Sequence, residues 1–446
     1  MIFDTIAAIS SPLGTGAISV IRISGDKTKK LIEDIFGINN PEPKKMYYGW
    51  VKENNEIIDE VTWVYHKGPR SYTGEDMLEI FGHGGILVTK KILNLIISKG
   101  LREALPGEFS KRAVMNKKMD LVKAEAINEL IHANSDYALK AAANQMEGKL
   151  SEQINNFKKE LFNIAARIEV EMDYPEDFEV DNFEFLNSLN NIREELYYLY
   201  ENADNGISAI EGIKMAIVGK PNAGKSTLLN ALLRKDRAIV TDIPGTTRDT
   251  IEESLNIRGI LIRTIDTAGI RETEDVVEKI GVERSLKAIE ESKLILFVLD
   301  NSTGVEDYDI EIYEKIKHYN DKEIIIVINK SDINNEDKFD IPWNHDVVKI
   351  SAATGRIKEL EDKIFDKLKD SVITNELTLT NERQKNAVKK AIDSISKAIE
   401  GIQLGLTNDA IMFDVRKAIE GLNELTGEDY TETLLDNIFG NFCVGK

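Results

Sequence analysis

The chain has 446 residues, 42% of them hydrophobic, with a formal net charge of −20; that length exceeds one ordinary core and points to two to four domains. The acidic balance excludes broad, sequence-independent nucleic-acid binding driven by phosphate neutralisation, so any RNA contact has to be local. The single cysteine, Cys443, excludes an internal disulfide framework, and the opening "MIFDTIAAIS" lacks the basic region of a secretory signal, so the reducing cytosol is the expected compartment.

Residues 1–118 mix strand-like stretches ("AISVIRIS", "VTWVYH", "DMLEIFG") with Gly/Pro turns and one helical run after "HGG", which reads as α+β. The stretch "SKRAVMNKKMDLVK" (110–123) holds five basic residues and one acid, and stands either as a local RNA contact or as a solvated face. From about residue 119 the spacing becomes helical. Leu150, Ile154, Phe157, Leu161, Ile164 and Ile168 trace one apolar face of a long helix that must pack on other helices. The eight acids of "EVEMDYPEDFEVDNFE" (169–184) lack a compact ligand spacing and read as a solvated connection broken by Pro175.

A second helical run covers about 186–203, and then "GIKMAIVGK" opens alternating strands and helices to about 373, an α/β pattern. Its apolar runs "LILFVL" and "IIIVI" are too short to span a bilayer and suit buried parallel strands in a soluble protein. "ERQKNAVKKAIDSISKAIEGI" and "NDAIMFDVRKAIEGLNEL" return to helical spacing, so one helical domain with the α/β domain inserted is expected. The expected division is 1–118, 119–210, 211–374 and 375–446.

The inserted block carries the clearest chemistry. "GKPNAGKS" (219–226) fits a phosphate loop between the strand "MAIV" and the helix "STLLNALL". Backbone N–H groups along Asn222, Ala223, Gly224, Lys225, Ser226 and Thr227 can cradle phosphates, with Lys225 reaching the β and γ phosphates and Ser226 binding Mg²⁺. "DTAG" (Asp266, Thr267, Ala268, Gly269) ends a strand where an acid faces the metal through its water shell. "NKSD" supplies Asn329, Lys330 and Asp332; the Asp332 carboxylate matches guanine's N1–H and amine and would be left unpaired by adenine, which selects GTP. "SAATG" (Ser351, Ala352, Ala353) completes the set as a base-side loop, and the four motifs together resemble the GTPase fold over about 213–373.

Two details sharpen the mechanism. After "DTAG" stands Ile270, which cannot orient water, leaving Glu272, Glu274, Asp275, Glu278 and Glu283 as candidates. Asn222, with the segment "TDIPGTTRD" that holds Thr241, Asp242, Ile243, Pro244, Gly245, Thr246 and Thr247, either helps hold a monovalent cation near the phosphates or is simply a turn former.

The GTPase motifs, "DTIAAISSPLGTGAISVIRISG", "RSYTGEDMLEIFGHGG", "LPGEFSKRAVMNKKMDLVKAEAINELI" and "FCVGK" together resemble the MnmE (TrmE) family of tRNA wobble-uridine modification GTPases, from residue 4 to 446. The resemblance implies an N-terminal α+β domain that binds a one-carbon tetrahydrofolate, such as 5-formyltetrahydrofolate, and forms a homodimer. It further implies a discontinuous helical domain and an inserted Ras-like P-loop GTPase domain whose two copies meet. On the family pattern Asn222 and the backbone of Thr241, Ile243 and Thr246 hold K⁺, Ser226 and Thr247 hold Mg²⁺, and Glu278 orients water, while Arg248, Asp249 and Arg271 match switch positions. The matched folate positions are Arg22, Glu79, Lys118 and Lys446. The implied reaction adds an aminomethyl or carboxymethylaminomethyl group to C5 of the wobble uridine of tRNA, with an FAD-dependent partner, MnmG (GidA).

Two rivals are weaker. An RNA-binding ribosome-assembly switch predicts a basic appendage, yet residues 376–446 carry eight basic and twelve acidic side chains. A folate-binding scaffold with a decayed GTPase domain is opposed by the intact motifs. Cys443, on composition alone, is a small apolar residue or an exposed thiol in a tail expected to fray. The resemblance instead places it near the one-carbon unit, as a nucleophile or proton donor.

Overall fold

A computed structural model of the chain describes residues 4–174, 176, 181–236, 253–265, 287–333 and 341–446. The chain forms two compact units, one of residues 1–128 with 419–446, the other of 129–418.

The first unit is built on β1 (Ile6–Ile9), β2 (Ile18–Ser24), β3 (Met46–Glu53), β4 (Glu56–His66), β5 (Met77–His83) and β6 (Arg102–Glu103), in the sheet order β3-β4-β5-β2-β1-β6. All pairs are antiparallel except β1 with β6. Strand alternation sends Ile21, Ile23, Val61, Trp63, Tyr65, Leu78 and Ile80 to one face. There they pack with Leu31 and Ile32 of α1 (Thr28–Phe36) and Ile92 and Ile96 of α2 (Ile86–Ser98). Burial of each such side chain contributes about 1.5–3 kcal/mol. The same alternation turns Arg22 and Glu79 outward, directly opposite each other across β2 and β5.

Two more helices, α3 (Glu108–Met115) and α4 (Leu121–His132), follow, and the chain enters the second unit within α4. The basic stretch 110–123 begins on α3, but it is not a free cationic face: the Arg112 side chain is only 2% exposed and pairs with Glu108, Glu75 and Asp4, and Lys111 bonds Asp436. A solvated face or RNA contact made of all five cations is therefore corrected, because burial has committed Arg112 to internal carboxylates.

The second unit opens with α5 (Asp136–Glu147), α6 (Lys149–Asp173), α7 (Phe185–Glu201) and α8 (Ala203–Glu211). The periodic face of α6 is buried as its spacing predicts, from Leu150 through Ile168. A parallel sheet follows, with β7 (Ile213–Val218), β8 (Glu253–Ile257), β9 (Ile260–Thr264), β10 (Leu294–Asp300), β11 (Glu323–Asn329) and β12 (Asp346–Lys349) ordered β12-β11-β10-β7-β9-β8. Only the β8–β9 pair is antiparallel. β10 is buried at all seven positions, as a strand covered on both faces must be. One face packs with α9 (Lys225–Asp236) and α11 (Lys358–Leu368), the other with α10 (Asp307–Ile316).

After the sheet, α12 (Glu382–Gln403) and α13 (Asn408–Thr426) complete the helical part, and the chain returns to the first unit within α13. Helices from both sides of the insertion are joined in one unit: Gln145 of α5 bonds Gln384 of α12 and the Thr378 carbonyl, while Thr380 bonds Glu129 and Gln145. The last helix, α14 (Glu432–Phe439), places Leu435 and Phe439 against Val114 and Leu121 in the first unit. Among the described residues no helix is long and apolar enough to cross a membrane.

Candidate functional site

Parallel strands bring their carboxyl ends to one edge, where an open α/β sheet binds ligands. At that edge the second unit collects the phosphate loop after β7, Asp300 at the end of β10, "NKSD" after β11 and "SAATG" after β12. The loop needs its glycines. Gly219 has φ +152° and Gly224 φ +93°, and a Cβ would collide with the Val298 carbonyl at the first and Asn329 Nδ2 at the second. Asn222 between them also takes a left-handed backbone, φ +63°, and is exposed.

The loop is held by two side chains. Lys225 Nζ donates to the carbonyls of Gly219 at 2.7 Å and Lys220 at 2.9 Å, and burial pushes its amine below the ordinary range. Asn329 is a strut: its Nδ2 donates to the Ala223 carbonyl at 3.0 Å and its Oδ1 accepts from Ala352 N–H at 3.1 Å, tying the phosphate loop to the base-side loop. Lys225, Ser226 and Thr227 open α9, so first-turn N–H groups and the helix dipole face the loop, an arrangement suited to phosphate. The hydroxyl of Ser226 in that turn is of the right chemistry for Mg²⁺, a hard cation that takes oxygen ligands.

On the base side Asp332 is exposed and accepts from the buried Ser351 hydroxyl at 2.5 Å. That bond and Asp332's own backbone N–H hold its carboxyl below the usual carboxylate range. Lys330, with φ +64°, pairs with Asp300 at 2.5 Å. Ala353 lies in the same turn, beside Ala352. Thr241, Asp242, Ile243, Pro244, Gly245, Thr246, Thr247, Asp266, Thr267, Ala268, Gly269 and Glu278 lie outside the described residues.

The first unit holds a separate cluster on the outward face of its sheet. Arg22 bonds Glu79 Oε1 through Nε at 3.0 Å and Nη2 at 2.9 Å, and His66 Nε2 meets Glu79 Oε2 at 3.3 Å. His66 and Arg22 together keep the Glu79 carboxyl below its ordinary value although burial opposes them. The Arg22 guanidinium lies over the rings of Tyr72 and Phe109, 5.3 and 5.8 Å from their centroids.

The last residues reach this cluster. The Gly445 carbonyl accepts from Arg22 Nη1 at 3.2 Å and Ser10 Oγ at 3.0 Å, and the Lys446 carbonyl accepts from Phe109 N–H at 3.2 Å. Phe442 is buried against Phe439, and the Cys443 carbonyl accepts from Gly107 N–H. The expectation of a fraying tail is overturned: these bonds and Phe442 anchor it. Burial, and then the charge of Arg22, hold the Lys446 amine below its ordinary range. Cys443 is a partly buried thiol outside any disulfide. Lys118 is exposed, with its aliphatic stem passing Gly74 rather than Arg22.

Sequence reasoning had missed His66, Tyr72, Phe109 and Ser10 around Arg22, and Asp300 beside Lys330. Alternation along β4 buries Val61, Trp63 and Tyr65 and so turns His66 outward, but reaching Glu79 depends on the β4–β5 register.

A phosphate loop, the Asp332 carboxylate and the Asn329 strut that ties the loop to the turn after β12, at the carboxyl edge of a largely parallel sheet, mark a P-loop GTPase domain of the Ras-like class within the second unit. A family model described as "MnmE helical domain" matches residues 121–443, and one described as "GTP-binding protein TrmE N-terminus" matches residues 5–118. The chain is 55% identical to the tRNA modification GTPase MnmE of Petrotoga mobilis over 452 residues, covering 100% of both chains. Its identity to the proteins of that name is 48% for Fervidobacterium nodosum, covering 99% of this chain and 98% of that one, and 44% for Clostridioides difficile, covering 99% of each. The chain belongs to the MnmE (TrmE) family and is a GTP hydrolase.

Proposed function

We propose that the chain couples GTP hydrolysis to tRNA modification: with an FAD-dependent partner of the MnmG type it adds an aminomethyl or carboxymethylaminomethyl group to C5 of the wobble uridine. The observation that carries the reading is the Arg22–Glu79 pair, seated over Tyr72 and Phe109 and met by the Gly445 carbonyl. A cross-strand ion pair alone would be ordinary. Here a carboxylate able to grip the N–H donors of a pterin and cations suited to an anionic glutamate tail share one aromatic-lined place. Arg22, Glu79 and Lys446 fit a one-carbon tetrahydrofolate, with Lys118 as a more distant contact to its tail. The folate supplies the one-carbon unit when bound. Cys443, two residues before Gly445, is the candidate nucleophile or proton donor there.

In the GTPase domain, the loop amides and Lys225 hold the phosphates, Ser226 and Thr247 take Mg²⁺, and Asn222 with the backbone of Thr241, Ile243 and Thr246 takes K⁺. When bound, the cation would supply positive charge where negative charge develops on the phosphate oxygens during hydrolysis. Glu278 orients the attacking water in place of Ile270. Hydrolysis acts as a conformational driver rather than a chemical step on the base. The working form is a cytoplasmic homodimer divided at 1–118, 119–210, 211–374 and 375–446.

Steady-state GTP turnover should be faster in K⁺ than in Na⁺, and equal rates in the two salts would remove the cation from the mechanism. Glu278→Ala should slow hydrolysis while nucleotide binding persists; an unchanged rate would assign water orientation elsewhere. The tRNA assignment is tested by the nucleoside content of tRNA from cells lacking the gene.

A further inference from the structure

We propose that Lys220, the second residue of the phosphate loop, is a positioning residue for nucleotide binding, anchoring the loop through Thr303, Glu306 and Asp309 to a bracket that also holds the guanine-side loop. Lys220 is 7% exposed. Its Nζ donates to Thr303 Oγ1 at 2.6 Å and Glu306 Oε2 at 2.8 Å, with Asp309 Oδ2 at 3.5 Å. Burial works against the ammonium, yet the two carboxylates outweigh it and raise the amine above its ordinary value.

The partners of Lys220 are themselves fixed. Glu306 is the N-cap of α10, and Glu306 and Asp309 form a reciprocal capping box in which Asp309 accepts from Glu306 N–H. Asp309 is fully buried, so its charge depends on close partners. At the other end of the bracket Asp300 pairs with Lys330, and Asn301 N–H donates to the Asn329 carbonyl at 2.9 Å. Residues 300–309 thus tie one end to the guanine-side loop and the other to the phosphate loop.

The route from Lys220 to the phosphates runs through its own backbone. The Lys220 carbonyl accepts from Lys225 Nζ at 2.9 Å, so whatever holds Lys220 sets where the phosphate-reaching amine rests. Two lysines in one loop have divided the work: Lys225 serves the phosphates, and Lys220 faces protein oxygens. A loop set in advance strengthens binding of every nucleotide that uses the β phosphate, without favouring the transition state.

The test is fluorescence titration of the full chain with labelled GDP and a non-hydrolysable GTP analogue, alongside steady-state hydrolysis. Lys220→Met should raise Kd for both nucleotides together by about tenfold, the loss of one charge-assisted contact, and kcat at saturating GTP should stay within about threefold of the wild type. Lys220→Arg should restore most of the affinity, since it keeps the charge. Glu306→Gln, which alters a half-exposed partner and leaves Asp309 in place, should raise both Kd values in the same ratio, by about twofold to threefold, and serves if Lys220→Met does not fold. Unchanged Kd values in Lys220→Met and Glu306→Gln would overturn the proposal. A fall in kcat with Kd unchanged would overturn it too, because that pattern belongs to a residue acting on the transition state.

Discussion

In the proposed function the Asp332 carboxylate accepts from both the N1–H and the exocyclic amine of guanine, in an orientation that its bond from the Ser351 hydroxyl favours. Replacing it by asparagine turns one acceptor into a donor. Asp332→Asn should weaken GTP binding by about 10- to 100-fold, the scale of losing charge-assisted bonds, while xanthosine triphosphate, whose C2 carbonyl matches the new donor, gains. Competition titration reads the ratio; retained preference for GTP would assign base selection elsewhere. Asp332, Lys225 and Gly224 were legible in the sequence because their roles rest on spacing within short loops that follow a strand. Arg22 and Glu79 lie 57 residues apart and meet only through the β2–β5 register, so on residue type alone they read as strand surface, and only the family resemblance singled them out. Lys220 was read merely as part of the loop, because its partners lie in a different segment, at 303–309.

At the scale of elements, periodicity served best where burial is one-sided. The face from Leu150 to Ile168 on α6 is read directly from its three-and-four spacing, and β10 and β11 from unbroken apolar runs. The basic stretch across α3 misled, since sequence cannot show that Glu75, Glu108 and Asp4 converge on Arg112. That convergence has a pH consequence. Burial alone would raise the Glu108 carboxyl, but Arg102, the Leu105 N–H and Arg112 outweigh it and hold it below its ordinary 4.5. A carboxyl depressed on folding contributes stability that is fully present above its unfolded value and is lost as pH falls through the folded one. Glu108→Gln should therefore cost about 1–3 kcal/mol near neutral pH and flatten the loss of stability below about pH 4.5. Urea unfolding followed by the buried Trp63, with Trp343→Phe to silence the second unit, measures both; parallel acid limbs in mutant and wild type would remove Glu108 as their source.

Over the whole molecule, helices flanking an α/β block announced the insertion, and Gln145 with Gln384 realises it inside the second unit. The boundary within α13 was not legible, because its helical pattern runs unbroken through the point where the chain returns to the first unit. That return carries Gly445 and Lys446 to Arg22 and Phe109, so the lone thiol at Cys443 sits beside the proposed folate cluster. The proposed function joins two chemistries, GTP hydrolysis in one unit and the one-carbon binding proposed for the other, and tRNA modification is the function that would use both. The most direct measurement is nucleoside analysis of tRNA from cells lacking the gene. An unmodified C5 at the wobble uridine, restored by the wild-type chain and not by Arg22→Ala, is the predicted result; full modification in the absence of the gene would contradict the account.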